Sequence, residues 1–150
     1  MVRYSLVRKN RLPSLNVILD DKLDRFIFNS SDVYQIMKEE GVCDLPEEYL
    51  YLFCINIKNR IIGFFEVSHG DVEQTVASIP QILVRALLTG ATRIIMVHNH
   101  PSGDISPSSF DALFTAELKN ACSILKIEFL DHVIITDSNY CSYKDSVWEV

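Results

Sequence analysis

The chain lacks long apolar runs, cysteine pairs and repeats, and each absence removes a class of function. No stretch approaches the roughly 20 consecutive apolar residues that span a bilayer, so no membrane partner is expected. The opening MVRYSLVRKNRLPSLNVI is basic but has no uninterrupted apolar segment ending in small residues, so no secretory signal is expected. The four cysteines, Cys43, Cys54, Cys122 and Cys141, are scattered without a CxxC pair. That weighs against a disulfide scaffold, and it reads as reduced thiols in a cytoplasmic protein. No repeat, low-complexity tract or linker divides the 150 residues, which suit one domain able to bury its own core.

What is there is apolar and unevenly charged. Hydrophobic residues make up 48% and charged residues 23%, the balance of a globular domain. The formal net charge is −6. Residues 1–25 hold six Lys/Arg against three Asp, whereas residues 100–150 hold three Lys against eight Asp/Glu. An acidic second half repels a phosphate backbone and weighs against direct DNA binding, leaving the N-terminal basic stretch as the one candidate contact.

The first 28 residues show no clear period and read as an N-terminal arm or extension, residues 1–29, before a single domain at 30–150. SSDVYQIMKEEG predicts a helix capped by Ser30 or Ser31 and stopped at Gly41. Tyr49–Ile57 and Ile61–Val67 flank the polar turn KNR as a hairpin. Pro80 opens a helix that ends at Gly90, and RIIMV at 93–97 is a strand buried on both faces. SSFDALFTAELKNACSILK has the strongest helical period; IEFLDHVIIT is a further strand and YCSY a short last one. Strands alternating with helices predict an α/β sandwich, a mixed β-sheet covered by helices.

The strand at 93–97 runs into HNHPSGDISPSSFD, residues 98–111. His98 and His100 are two apart, so at a strand end both imidazoles point the same way. PSGD forms a turn, and Ser106-Pro107 supplies an N-cap and a first helical residue. Asp111 then lies about one turn into the helix, able to swing back toward the histidines. Two histidines and one carboxylate suit Zn2+, and three protein ligands leave the fourth position to a water. A water held there with a pKa of ~7 is a hydrolytic nucleophile.

HNHPSGD with Ser108 and Asp111 reads HxH, seven residues, Ser, two residues, Asp. This pattern is similar to that of the JAMM (MPN+, JAB domain) metalloprotease superfamily, and HNHPSGD…LDHVII resembles its RadC-like branch. The resemblance runs from about Ser30 to Tyr143 and takes in EEYLYLFCINIKNRIIG. It implies a cytidine-deaminase-like α/β sandwich and, where active, zinc-dependent cleavage of amide or isopeptide bonds in a peptide or protein substrate. It further implies that His98, His100 and Asp111 ligate zinc and that Ser108 steadies the developing oxyanion, the structural alternative being that Ser108 caps the helix. The general base it requires is assigned to Glu66, a carboxylate interrupting the apolar run IIGFFEV, with Glu73 the runner-up. His132 is either an outer support of a ligand or a hydrogen-bonded core residue, His69 belongs to a loop, and Trp148 covers an apolar edge.

The chain departs from relatives at Gly70-Asp71, where Gly-Thr is usual, and at Pro80-Gln81-Ile82, where Pro-Arg-Glu is usual. The helix-hairpin-helix-like region of full-length RadC proteins has no counterpart in these residues, which removes the most obvious DNA-binding element. The leading expectation is a zinc hydrolase. A DNA repair or mobile-element accessory module and a non-catalytic interaction domain are the alternatives. Exposed edge strands suit a homodimer.

Overall fold

The computed structural model describes residues 1–70, 79–146 and 148. Seven strands form one mixed sheet: β1 (Val2–Lys9), β2 (Leu12–Asp20), β3 (Tyr49–Ile55), β4 (Ile61–His69), β5 (Arg93–Asn99), β6 (Glu128–Ile135) and β7 (Tyr140–Ser142). Their spatial order is β2-β1-β4-β3-β5-β6-β7. β1/β4 and β5/β6 are parallel and the other neighbours antiparallel. The helices are α1 (Ser30–Glu39), α2 (Ile79–Thr89), α3 (Ser109–Leu125) and the single turn α4 (Tyr143–Ser146). This is the helix-covered mixed sheet that the strand and helix periods predict.

Side-chain alternation divides the core in two. On one face Tyr51, Phe53, Phe64, Ile95, Val97, Val133 and Ile135 pack with Val33, Ile36 and Met37 of α1. On the other, Leu50, Leu52, Phe65, Ile94 and Met96 meet Ile82, Leu83 and Ala86 of α2 and Phe114, Leu118 and Cys122 of α3. β3 and β5, at the centre, are buried on both faces, which explains their unbroken apolar sequences.

Three local expectations change. Residues 2–20, which show no period, form the β1–β2 hairpin, joined to β4 through Arg3 and Tyr4. Their strands are exposed or half-buried on both sides, so no alternation marks them. The cap of α1 is Asn29, whose side chain accepts from the Asp32 amide. α3 begins not at Pro107 but after Ser108, where Ser108 and Asp111 form a capping box that outweighs the proline's preference for the first turn.

Candidate metal centre

β5 ends in His98 and Asn99, and His100 follows, its N–H continuing the ladder to the carbonyl of Ile135 at 2.9 Å. His98 falls in step with Ile94 and Met96 and therefore leaves the sheet on the α2/α3 face. Asp111 reaches the same point from the first turn of α3. The Ser108 hydroxyl accepts from the Asp111 N–H at 3.0 Å, and the Ser108 N–H donates to Asp111 Oδ2 at 2.8 Å. Thus the residue that starts the helix also fixes the carboxylate.

Three donor atoms meet there. His98 Nε2 lies 2.8 Å from His100 Nε2, 3.4 Å separates His98 Nε2 from Asp111 Oδ1, and 3.6 Å separates His100 Nε2 from Asp111 Oδ2. Zinc bonds of about 2.0–2.1 Å at tetrahedral angles separate donors by about 3.3 Å, a spacing that the three observed separations bracket.

The hydrogen bonds around the rings fix which atoms face inward. His100 Nδ1 lies 2.6 Å from the Asp104 carbonyl, which only accepts, so that nitrogen carries the proton. Thr115 donates to the Asp111 carbonyl at 2.7 Å and therefore accepts from His132 Nδ1 at 2.7 Å. The other nitrogen of a neutral His132 must then accept from His98 Nδ1, 2.7 Å away. Burial, joined by the nearby His98, holds the His132 pKa well below its ordinary value, which keeps the ring neutral. Both Nε2 atoms consequently present lone pairs to each other and to a carboxylate. Such a set could hold a metal ion between its members, and two imidazoles with a carboxylate are ligand types that fit zinc.

Without a metal, a proton takes that role. Burial opposes protonation of His100, but its bond to Asp111, the Asp104 carbonyl and the charge of Glu48 raise its pKa. Burial would likewise raise Asp111, but hydrogen bonds from His100 and His98 hold its carboxyl far below the usual carboxylate range.

Among the sequence candidates, His98, His100, Asp111 and Ser108 come together. Glu66 does not. It is opposite Tyr51, in step with Phe64, and so leaves β4 on the α1 face, exposed and on the other side of the sheet from His98. Glu73 lies outside the described residues. His69 ends β4 and stacks on Tyr49 at 5.2 Å, while Trp148 is buried 4.9 Å from the His132 ring.

An acid is nevertheless present on the metal face. Leu50 pairs with His98, so two residues further along each strand Glu48 comes beside His100, on the same face, close enough for its charge to act on that ring. Asn99, between the two histidines, secures that segment. It accepts from the Tyr49 N–H at 2.7 Å and donates to the Glu47 carbonyl at 2.8 Å, while the Glu48 carbonyl accepts from Gly70 at 2.8 Å. Asn99 and Glu48 escaped the sequence reading. The available signal was the dipeptide Glu47-Glu48 directly before a strand, usable only once β3 is registered on β5.

A family model described as RadC-like JAB domain matches residues 27–148. The chain belongs to the RadC-like JAB domain family. Curated relatives bear the name UPF0758 protein. That of Flavobacterium johnsoniae is 35% identical over 119 residues, 79% of this chain and 52% of the relative. That of Pelobacter propionicus is 37% identical over 123 residues, 82% of this chain and 53% of the relative. That of Chlorobaculum parvum is 35% identical over 123 residues, 82% of this chain and 55% of the relative. The chain thus spans about half the length of these relatives. Within the RadC-like JAB domain, the match takes in α1, β3 to β7, α2 and α3, and it begins after the β1–β2 hairpin.

Proposed function

We propose that this RadC-like JAB domain is a zinc-dependent hydrolase of amide or isopeptide bonds in peptides or proteins. The observation that carries the reading is the pair of imidazole lone pairs and the buried carboxylate converging on one point, each held by a partner that leaves it no other role. His98, His100 and Asp111 would hold the ion, which when bound supplies a polarised carbonyl and an activated water. Glu48, beside His100 and half-buried, accepts the water's proton and returns it to the leaving amine. The Ser108 hydroxyl uses its oxygen to cap α3 and keeps its proton free to donate to the oxyanion. Asn99 holds the backbone that carries Glu48.

A peptide-library cleavage screen on the zinc-loaded chain tests this. Turnover by the wild type, its loss in Glu48→Gln and its retention in Glu66→Gln support the reading. Stoichiometric zinc with no cleavage of any peptide or isopeptide substrate would leave the interaction-domain alternative.

A further inference from the structure

A small apolar cluster of Ala112, Ile134 and Trp148 adjoins the candidate metal centre, with Cys141 and Tyr143 packed against it. Two of its members are next to a ligand. Ala112 follows Asp111 in α3, and Ile134 is the cross-strand neighbour of His98. Trp148 completes the cluster beyond α4, 6% exposed, with its indole 4.9 Å from the His132 ring. Tyr143 meets that indole at 90° and 5.6 Å, and Phe129 meets Tyr143 edge-on at 6.1 Å. Trp148 Nε1 is buried with no hydrogen-bond partner among the described residues, so packing seats the ring.

The hydrogen bonds beneath the indole give that seat a consequence. A neutral His98 presents the Nε2 lone pair only while its proton stays on Nδ1. The acceptor that keeps it there is His132 Nε2, 2.7 Å away. Because His132 Nδ1 carries the proton given to Thr115, its Nε2 can only accept, and His98 has no alternative. Water in that place would donate as readily as accept. The Asp111 carboxylate, 3.4 Å from His98 Nε2, would then draw the proton to the metal side. Correct presentation of His98 therefore depends on keeping water from the contact between the two imidazoles. His132 is only 2% exposed, and Trp148 is the aromatic ring, besides His98, that packs on it.

We propose that Trp148 is a positioning residue of this site: its indole keeps the His98–His132 contact dry and so fixes the lone pair that His98 offers to zinc. The proposal rests on His98, His100 and Asp111 being the zinc ligands. Truncating the indole to alanine vacates well more than the roughly 30 Å³ that a water occupies, beside polar rings able to bind it. Phenylalanine gives up no hydrogen bond and still covers the His132 ring.

Two measurements on the full chain test this. Proton NMR of the metal-free protein reads the water barrier: the wild type should show ring N–H signals of His98 Nδ1 and His132 Nδ1 protected from exchange. Chelator competition reads zinc affinity. Trp148→Ala should lose the protected signals and at least ~10-fold in zinc affinity, while Trp148→Phe keeps both. Trp148→Leu should fall between them, and it carries the test if the alanine variant does not fold. Met37, 0% exposed in the core on the α1 face, is the control, because Met37→Ala lowers stability without touching the site. It should keep the signals and the affinity. Wild-type zinc affinity in the truncated variants overturns the proposal, as does persistence of their protected signals or a wild type without them. An equal loss in Met37→Ala overturns it too, by making the effect one of general stability. A wild type that takes up no zinc refutes the metal reading itself, and the ring N–H signals of the variants still decide whether Trp148 excludes water.

Discussion

Asp111 and Asp131 are both 4% exposed, yet their carboxyls are driven in opposite directions. Burial raises each. At Asp131, on the α1 side, the compensation is neutral: the Ser142 hydroxyl at 2.5 Å and the N–H groups of Lys144 at 2.9 Å and His132 at 2.8 Å. Its pKa stays raised. At Asp111, on the α3 side, two imidazoles face the carboxylate and hold it ionised. The difference separates a buried acid that organises a loop from one arranged for a cation. It is the partners, and not the depth of burial, that mark the candidate metal centre.

The sharpest way to break that contrast is to truncate each acid. Asp111→Ala should abolish zinc binding in a chelator competition and weaken the start of α3 by about 1 kcal/mol. Asp131→Ala should retain one zinc but lower stability by about 1–3 kcal/mol, because it leaves buried donors unpaired. Next, Glu48→Gln should reduce turnover by about 10²–10⁴-fold, while Glu66→Gln, on the opposite face, should leave it within about twofold. A smaller effect is expected one step behind the ligands. Thr115→Val removes the acceptor that sets the His132 tautomer and, through it, the proton on His98. Zinc affinity should fall about 10–100-fold, with Thr115→Ser restoring it.

The smallest effect is on pH dependence. His100 has a folded pKa above its ordinary 6.5, so its contribution to the metal-free fold is fully present below that value and lost as pH rises through the raised pKa. Thermal midpoints of the metal-free protein should therefore fall over that range in the wild type, and not in His100→Gln. Zinc competes with the same proton, so its affinity should rise as the metal-free stability falls.

How much of this was readable follows from sequence distance. His98, His100, Ser108 and Asp111 lie within one strand end, one turn and one helix start, so local rules bring them together. Glu48 is 52 positions from His100, and only the register of β3 on β5 places it there. Glu66 attracted attention as an acid in an apolar strand, but its parity with Phe64 sends it to the other face. The β1–β2 hairpin was invisible because neither strand has a face buried cleanly enough to alternate, and its turn uses Asn10-Arg11 without a glycine. The His98–His132–Thr115 chain joins β5, β6 and α3, and its meaning emerges only from which nitrogen each partner can satisfy.

The central claim is that one cation completes the triangle of His98, His100 and Asp111. Zinc titration of the metal-free chain, side by side with His100→Ala, tests it most directly. One tightly bound zinc per wild-type chain and none in the variant is the expected result. Equal zinc uptake by both proteins, or none by the wild type, would contradict it.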